Sequence, residues 1–214
     1  ATRGQLMQAL PSHSTMVAVF ADVDTCQTLI DQLPLDIAGI NHPKQTVIAG
    51  DQTSIDQLID RCQQEKIRAT KLNVSHGFHS RSMDPMQEPF HTKANTLDYQ
   101  KLSIPMISTV TNDVITQVDA DYWTKQIRQG VNFSGAIHAL PNKPMIFIEI
   151  GPQPILTQLT KRNLPSNDAT YLHALSPKKD DWLLLMDSLQ KLCNQCPIQW
   201  SKLEPFYYHD IRQK

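Results

Sequence analysis

A mixed α/β fold is predicted for this chain. Three observations predict it: short apolar runs at strand period, apolar stripes at helical spacing between them, and turn-forming residues where one pattern gives way to the other. Met16 to Ala21 reads as a strand. Val23, Cys26, Leu29, Ile30 and Leu33 follow at helical spacing, with Asp22 placed to cap their helix. Leu35 to Ile40 and Thr46 to Ala49 read as two strands joined through the turn-rich Asn41-His42-Pro43-Lys44. Ile55, Leu58, Ile59 and Cys62 mark a second amphipathic helix beginning near Asp51 or Thr53. Thr70, Leu72 and Val74 then alternate with polar neighbours, which is a strand period.

The order β-α-β-β-α-β is that of a ferredoxin-like unit. The remainder has a different texture. A helix is expected over Met83 to Ala94, entered through Pro85, then a strand over Ile104 to Val110. A helix over Ala120 to Gln129 carries Trp123 and Ile127, and Phe133, Ile137 and Leu140 stripe another. Pro144 to Ile150 is nearly all apolar, as a strand covered on both faces of a parallel sheet would be. It breaks at Gly151-Pro152, after which Ile155, Leu156 and Leu159 begin a helix. Tyr171 to Leu175 offers a further strand and Trp182 to Cys193 a last amphipathic helix, followed by an extended tail that contains Pro205, Tyr207 and Tyr208. These later strands read as half of an α/β sheet.

Composition narrows the function. The 214 residues carry 40% hydrophobic and 19% charged side chains with a net charge of −1, which is the balance of a globular protein. Without a basic tract there is nothing to hold a nucleic acid or an anionic membrane surface, and no apolar run approaches the length of a membrane span. The opening Ala1-Thr2-Arg3-Gly4 has neither an initiator Met nor a secretory pattern, as expected of a piece of a longer cytoplasmic chain. Cys26 and Cys62 fall in apolar stripes and should behave as small hydrophobes. Cys193 and Cys196 form C-x-x-C without a second pair or a finger-spaced His, so reduced thiols are expected and no metal.

Three segments carry a resemblance: Asn41-His-Pro-Lys-Gln-Thr-Val-Ile-Ala-Gly50, Val74-Ser-His-Gly-Phe-His-Ser80, and Ile148-Glu-Ile-Gly-Pro152 followed by Ile155-Leu-Thr157. Shorter matches are Arg3-Gly-Gln-Leu-Met7 and Tyr122-Trp123 through Val131-Asn-Phe133. In this order they resemble the acyltransferase domains of polyketide synthases and the malonyl-CoA:acyl carrier protein transacylases. The resemblance implies a ferredoxin-like subdomain set into an α/β-hydrolase-like one. It divides the chain into the end of a large-subdomain helix (1–14), the ferredoxin-like part (15–75), the C-terminal part of the hydrolase-like core (76–197) and a post-acyltransferase linker (198–214).

The implied chemistry is a ping-pong transfer of malonyl from malonyl-CoA, through a serine ester, to the phosphopantetheine thiol of an acyl carrier protein, with no bound cofactor. His79 would be the general base, since a neutral imidazole titrates near working pH. Gln126 matches the position whose main-chain carbonyl orients that base, a role in which side-chain identity matters little. Arg3 matches the arginine that pairs with the malonyl carboxylate, for which a planar two-donor fork is suited. His76, Gly77 and Phe78 fall at selectivity positions, and Phe78 should fill the space of an α-methyl group. Asn41 and Pro43 read as turn formers first and as substrate-contacting residues second. Glu149, Gly151 and Pro152 should shape a loop near the site.

No G-x-S-x-G elbow occurs in the 214 residues, so the isolated chain is expected to be inactive. The strand at Met145 to Ile150 expects neighbours on both sides, so either self-association through its uncovered edge or partial disorder of the second half is expected. The tail resembles the segment that leads back to a neighbouring ketosynthase domain. The alternatives are a degenerate, non-catalytic acyltransferase kept as a docking module, or a ferredoxin-like module for RNA or a small ligand. The latter would need exposed sheet aromatics or a basic face, and neither is evident.

Overall fold

The computed structural model describes residues 1–165, 168–177 and 179–197. The expected linker at 198–214 lies outside the described residues. Packing divides the described residues into two compact units, Ala1–Asn142 with Arg162–Pro165, and Lys143–Lys161 with the described residues from Asp168 onward. The ferredoxin-like part and the residues after it, as far as Asn142, therefore share one unit.

The first unit opens with helix α1, Thr2–Gln8, and continues through β1 (Ser14–Val19), α2 (Val23–Leu29), β2 (Leu35–His42), β3 (Gln45–Asp51), α3 (Gln52–Gln64) and β4 (Ala69–Lys71). The four strands form an antiparallel sheet in the order β2-β3-β1-β4, the topology expected from the β-α-β-β-α-β pattern. Both helices begin where a carboxylate can accept from the first turn: Asp22 from the Thr25 N–H and Asp51 from the Ser54 N–H. Every residue of β1 is buried, because both faces of the sheet are covered. On the helix side Val17, Val19, Leu35 and Ile48 pack with Cys26, Leu29, Ile55, Leu58 and Cys62. Burial pushes the Cys26 thiol up to about 11, consistent with a thiol that serves as a hydrophobe. On the opposite face Met16, Ala38, Val47 and Ala49 meet Leu72, Val74 and Phe78.

Two strands of this unit are shorter than expected. β4 ends at Lys71 rather than running to Val74: the Leu72 N–H still reaches the Met16 carbonyl, but Val74 turns its own N–H back to Leu72 and leaves the ladder. The strand expected over Ile104 to Val110 is only β5, Met106–Ile107, paired with β6, Val114–Ile115. Ser108 ends it, since its hydroxyl accepts from Val110 and Thr111 and folds the chain into a turn.

The rest of this unit is helical. A single 3-10 turn, Arg81–Met83, leads into α4 (Asp84–Ala94), followed after β6 by α5 (Ala120–Arg128) and α6 (Phe133–His138). Met83, Met86 and Ile127 form a second core, which Leu6, Met7 and Leu10 join from α1 and the residues after it. Asp36 on β2 accepts from the backbone and guanidinium of Arg81 and from Arg128, and Arg128 also reaches Asp84 at 2.6 Å. Burial alone would raise the Asp36 pKa, but the hydrogen bonds from Arg81 and the two guanidinium charges outweigh it and hold the carboxylate below its ordinary range.

The second unit holds β7 (Met145–Glu149) parallel to β8 (Ala169–His173), with α7 (Ile155–Asn163, its end from Arg162 belonging to the first unit) and α8 (Asp181–Cys193). Phe147 and Tyr171 stack across the pair at 5.4 Å. The expectation of a strand covered on both faces is not met, since Ile148 is 56% exposed. Among the described residues β7 and β8 pair only with each other, which leaves each without a second neighbour. No helix among the described residues is long and apolar enough to cross a membrane. Cys193 and Cys196 are exposed free thiols.

Glu149 closes this unit locally. Its carboxylate accepts from the Ile155, Leu156 and Thr157 N–H groups and the Thr157 hydroxyl, capping α7 from a neighbouring strand. Desolvation pushes its pKa up, but those four donors win and lower it. Glu149→Gln should therefore cost about 1–2 kcal/mol in urea unfolding read by circular dichroism. The contribution should be complete above the unfolded carboxylate pKa of about 4.3 and drain away as pH falls through the depressed folded value. Equal stability of the two proteins at neutral pH would remove the clasp from the account.

Candidate functional site

The histidine-rich segment after β4 is fixed by hydroxyls. The Ser14 hydroxyl on β1 accepts from the Gly77 N–H at 2.7 Å, and the buried Ser80 hydroxyl donates to the Gly77 carbonyl at 2.6 Å. A side chain at Gly77 would put its Cβ 3.0 Å from that of Ser14, so the close approach favours glycine. His76 is 2% exposed, with Nε2 donating to the Leu10 carbonyl at 3.0 Å and Nδ1 accepting from the Ser75 hydroxyl at 2.9 Å. Both its nitrogens are occupied, and they tie this segment to the residues following α1. Phe78 packs on its ring at 5.9 Å between centroids and touches both the Met16 and the Met83 clusters.

Held from both sides in this way, His79 adopts φ 57°, the left-handed region uncommon for a residue with a side chain. Such a backbone persists only where surrounding contacts over-determine it, and these concentrate at functional sites. The turn delivers Nδ1 to 3.1 Å from the Gln129 carbonyl. A carbonyl only accepts, so Nδ1 carries the proton and Nε2 keeps its lone pair.

Gln129 was not anticipated from sequence. It caps the C-terminus of α5 with ψ 151°, so its carbonyl points away from the helix axis and is free for a donor outside. The following Gly130 lies against β2 so closely that a Cβ would sit 2.4 Å from the Ile37 carbonyl. Val131 then exchanges main-chain hydrogen bonds with Ala38 and Ile40, both at 2.9 Å. The Gln-Gly pair at a helix end was the available signal, but it marks a helix stop without saying what the carbonyl will face.

Arg3 on α1 donates through a guanidinium nitrogen to Gln126 Oε1 at 2.7 Å. Burial lowers its pKa from the ordinary value, though an arginine so shifted keeps its charge at neutral pH. The imidazole of His79 feels the same cluster. Desolvation and then the Arg3 charge lower its pKa, while the carbonyls of Gln129 and Gln126 partly offset them. Arg3, Gln126, His79 and Phe78 thus share one region. Asn41 does not join them by any hydrogen bond among the described residues; its carbonyl accepts from Asn163 at 2.8 Å. A cleft of about 370 Å³ opens beside Arg3, walled by Phe90, Leu97, Tyr99 and Trp123, but His79 does not line it. No cluster of three or more His, Cys, Asp or Glu that could hold a metal occurs among the described residues.

The arrangement can hold a neutral imidazole, with Nε2 as its unprotonated nitrogen, near a guanidinium, which suits proton transfer beside an anionic group. Residues 1–193 match the family described as acyl transferase domain. The non-reducing polyketide synthase pks27 of Aspergillus flavus is 33% identical over 219 residues, covering 98% of this chain and 10% of that synthase. Polyketide synthase GfsA of Streptomyces halstedii is 34% identical over 78% of this chain and 2% of its own length. Among solved structures, the acyltransferase domain from the second module of the salinomycin polyketide synthase superposes with a TM-score of 0.84 at 31% identity, covering 88% of this chain and 46% of that one. The malonyl CoA-acyl carrier protein transacylase from Clostridium perfringens gives a TM-score of 0.78 at 25% identity, covering 90% and 62%. The chain thus spans about half of the solved salinomycin domain and a tenth or less of these synthases. A family match running from the first residue to the last described helix and a relative 33% identical over 98% of this chain agree: the chain belongs to the acyl transferase domain family of polyketide synthases.

Proposed function

We propose that this chain supplies the base and the carboxylate-binding arginine of a malonyl-transferring acyltransferase whose serine lies outside these 214 residues. The observation that carries this reading is the anchoring of His79 Nδ1 on a main-chain carbonyl, which leaves Nε2 as the basic atom. In the first half-reaction Nε2 takes the serine hydroxyl proton as the oxygen attacks the thioester carbonyl of malonyl-CoA. The carbon–sulfur bond breaks, and coenzyme A leaves with the proton returned from the imidazolium. In the second, Nε2 deprotonates the phosphopantetheine thiol of an acyl carrier protein, which attacks the seryl ester and regenerates the serine. Arg3 would pair with the distal malonate carboxylate throughout.

The electrostatics suit a base. Burial and Arg3 both favour the neutral ring, so His79 stays unprotonated to lower pH than a free histidine. In the parent domain the acid limb of kcat/KM for malonyl transfer should therefore fall below the ordinary histidine pKa of about 6.5. Activity should be lost as pH drops through that lower value. A limb at or above about 6.5 would separate His79 from the rate.

Arg3→Ala in the same domain should cost malonyl far more than acetyl transfer. One charge-assisted pair is worth about 1.5–3 kcal/mol, or roughly one to two orders of magnitude in the malonyl-to-acetyl ratio of kcat/KM. An unchanged ratio would remove Arg3 from the carboxylate site. The 214-residue chain alone should acquire no stable label from radiolabelled malonyl-CoA, and stoichiometric acylation of one of its own serines would overturn the assignment.

Phe78 stands beside the base, and its ring is proposed to crowd an α-methyl group. Shape exclusion of one methyl is worth about 10- to 200-fold, so malonyl-CoA should be preferred over methylmalonyl-CoA by a factor in that range. Phe78→Ser should narrow the gap mainly by slowing malonyl transfer, and His76→Tyr with Phe78→Ser should narrow it further. Competition between the two esters, read as the mass of the acyl-enzyme, measures this. Equal use of both esters by the wild type would assign Phe78 to packing alone.

A further inference from the structure

We infer that Gln126 is a positioning residue that joins the two halves of the site, its side-chain amide oxygen holding Arg3 while its main chain faces His79. This rests on the proposed roles of Arg3 and His79, and it reverses the expectation that the identity of the side chain at 126 is immaterial. Gln126 lies in the last turn of α5, where main-chain carbonyls lack an intrahelical donor and are available to outside groups. Its carbonyl acts on the His79 ring together with that of Gln129. Its side chain points to α1 and accepts from Arg3 at 2.7 Å, across 123 residues of sequence.

The chemistry explains why an amide suits this position. A guanidinium only donates, so its holder must be an acceptor. A carboxylate at 126 would accept as well, but it would neutralise Arg3 and compete with an incoming carboxylate. An amide oxygen fixes one donor of the fork and leaves the charge and the remaining donors for substrate. Leu6 and Met7 pack the helix that carries Arg3 into the core, and the hydrogen bond to Gln126 fixes the guanidinium at the end of its long side chain. Among the described residues Arg3 is the charged side chain that acts on His79, and moving it should therefore be felt at the ring.

The test uses the 214-residue chain with labelled histidine, following the His79 ring resonances by NMR against pH. Arg3→Ala should raise the His79 midpoint, because a nearby positive charge is removed. Gln126→Met, close in shape but without the acceptor, should also raise it, and the double variant should match Arg3→Ala alone. Should Gln126→Met fail to fold, Gln126→Asn shortens the amide by one methylene and must raise the midpoint in the same direction. An unmoved midpoint in either variant, or a further rise when it is added to Arg3→Ala, overturns the inference. In the parent domain Gln126→Met and Gln126→Glu should each lower the malonyl-to-acetyl ratio about tenfold. An unchanged ratio in a domain whose wild type transfers malonyl overturns the positioning role and leaves the proposed function standing. A coupled His79 in a domain that transfers no malonyl instead overturns the proposed function and leaves the Arg3–Gln126–His79 linkage in place.

Discussion

Two main-chain hydrogen bonds, from Val131 to Ala38 and from Ile40 back to Val131, attach the segment after α5 to the edge strand of the four-stranded sheet. Much of the site's geometry depends on that attachment. β2 is an edge strand and has unpaired groups to offer; Val131 takes two of them in place of a fifth strand. Gly130 permits the approach, and the position of Gly130 in turn sets the direction of the Gln129 carbonyl. That carbonyl decides which imidazole nitrogen of His79 carries hydrogen. The orientation of the His79 imidazole thus follows from how a loop is tied to a strand far earlier in the chain.

The same junction is reinforced electrostatically. Asp36 lies on β2 beside the attachment and accepts from Arg81, immediately beyond the histidine segment, and from Arg128, in the last turn of α5. The carboxylate is 18% exposed, so these contacts are shielded more than ordinary surface pairs. Its partners flank the two segments that meet at His79. The ion pairs and the main-chain bonds therefore restrain the same pair of elements from opposite ends.

Around the imidazole the balance runs between opposed terms. Burial and a neighbouring guanidinium favour the neutral ring, and two carbonyls favour the charged one. The base role proposed for His79 would need this compromise: such a group must be free of its proton before reaction and be able to hold it during the transfer. The left-handed backbone at His79 is maintained by Ser14, Ser80 and the fully engaged His76, which explains why a segment so rich in polar residues is largely buried.

Local pattern was sufficient for the ferredoxin-like sheet, because strand and helix periods, the Asp22 and Asp51 caps and the Pro43-Lys44 turn are properties of near neighbours. It also marked His79 and Arg3, through segments that resemble a known family. It overextended the strands at 72–74 and 104–110, where an alternating pattern is indifferent to whether a partner strand continues. It passed over Gln129, whose contribution is a carbonyl that every residue possesses, and over the hydrogen bond of the Gln126 side chain, whose partner is far away in sequence. Those assignments required tertiary structure for one physical reason: a hydrogen bond between distant residues depends on where two backbones are held relative to each other, and neither segment's own sequence contains that information.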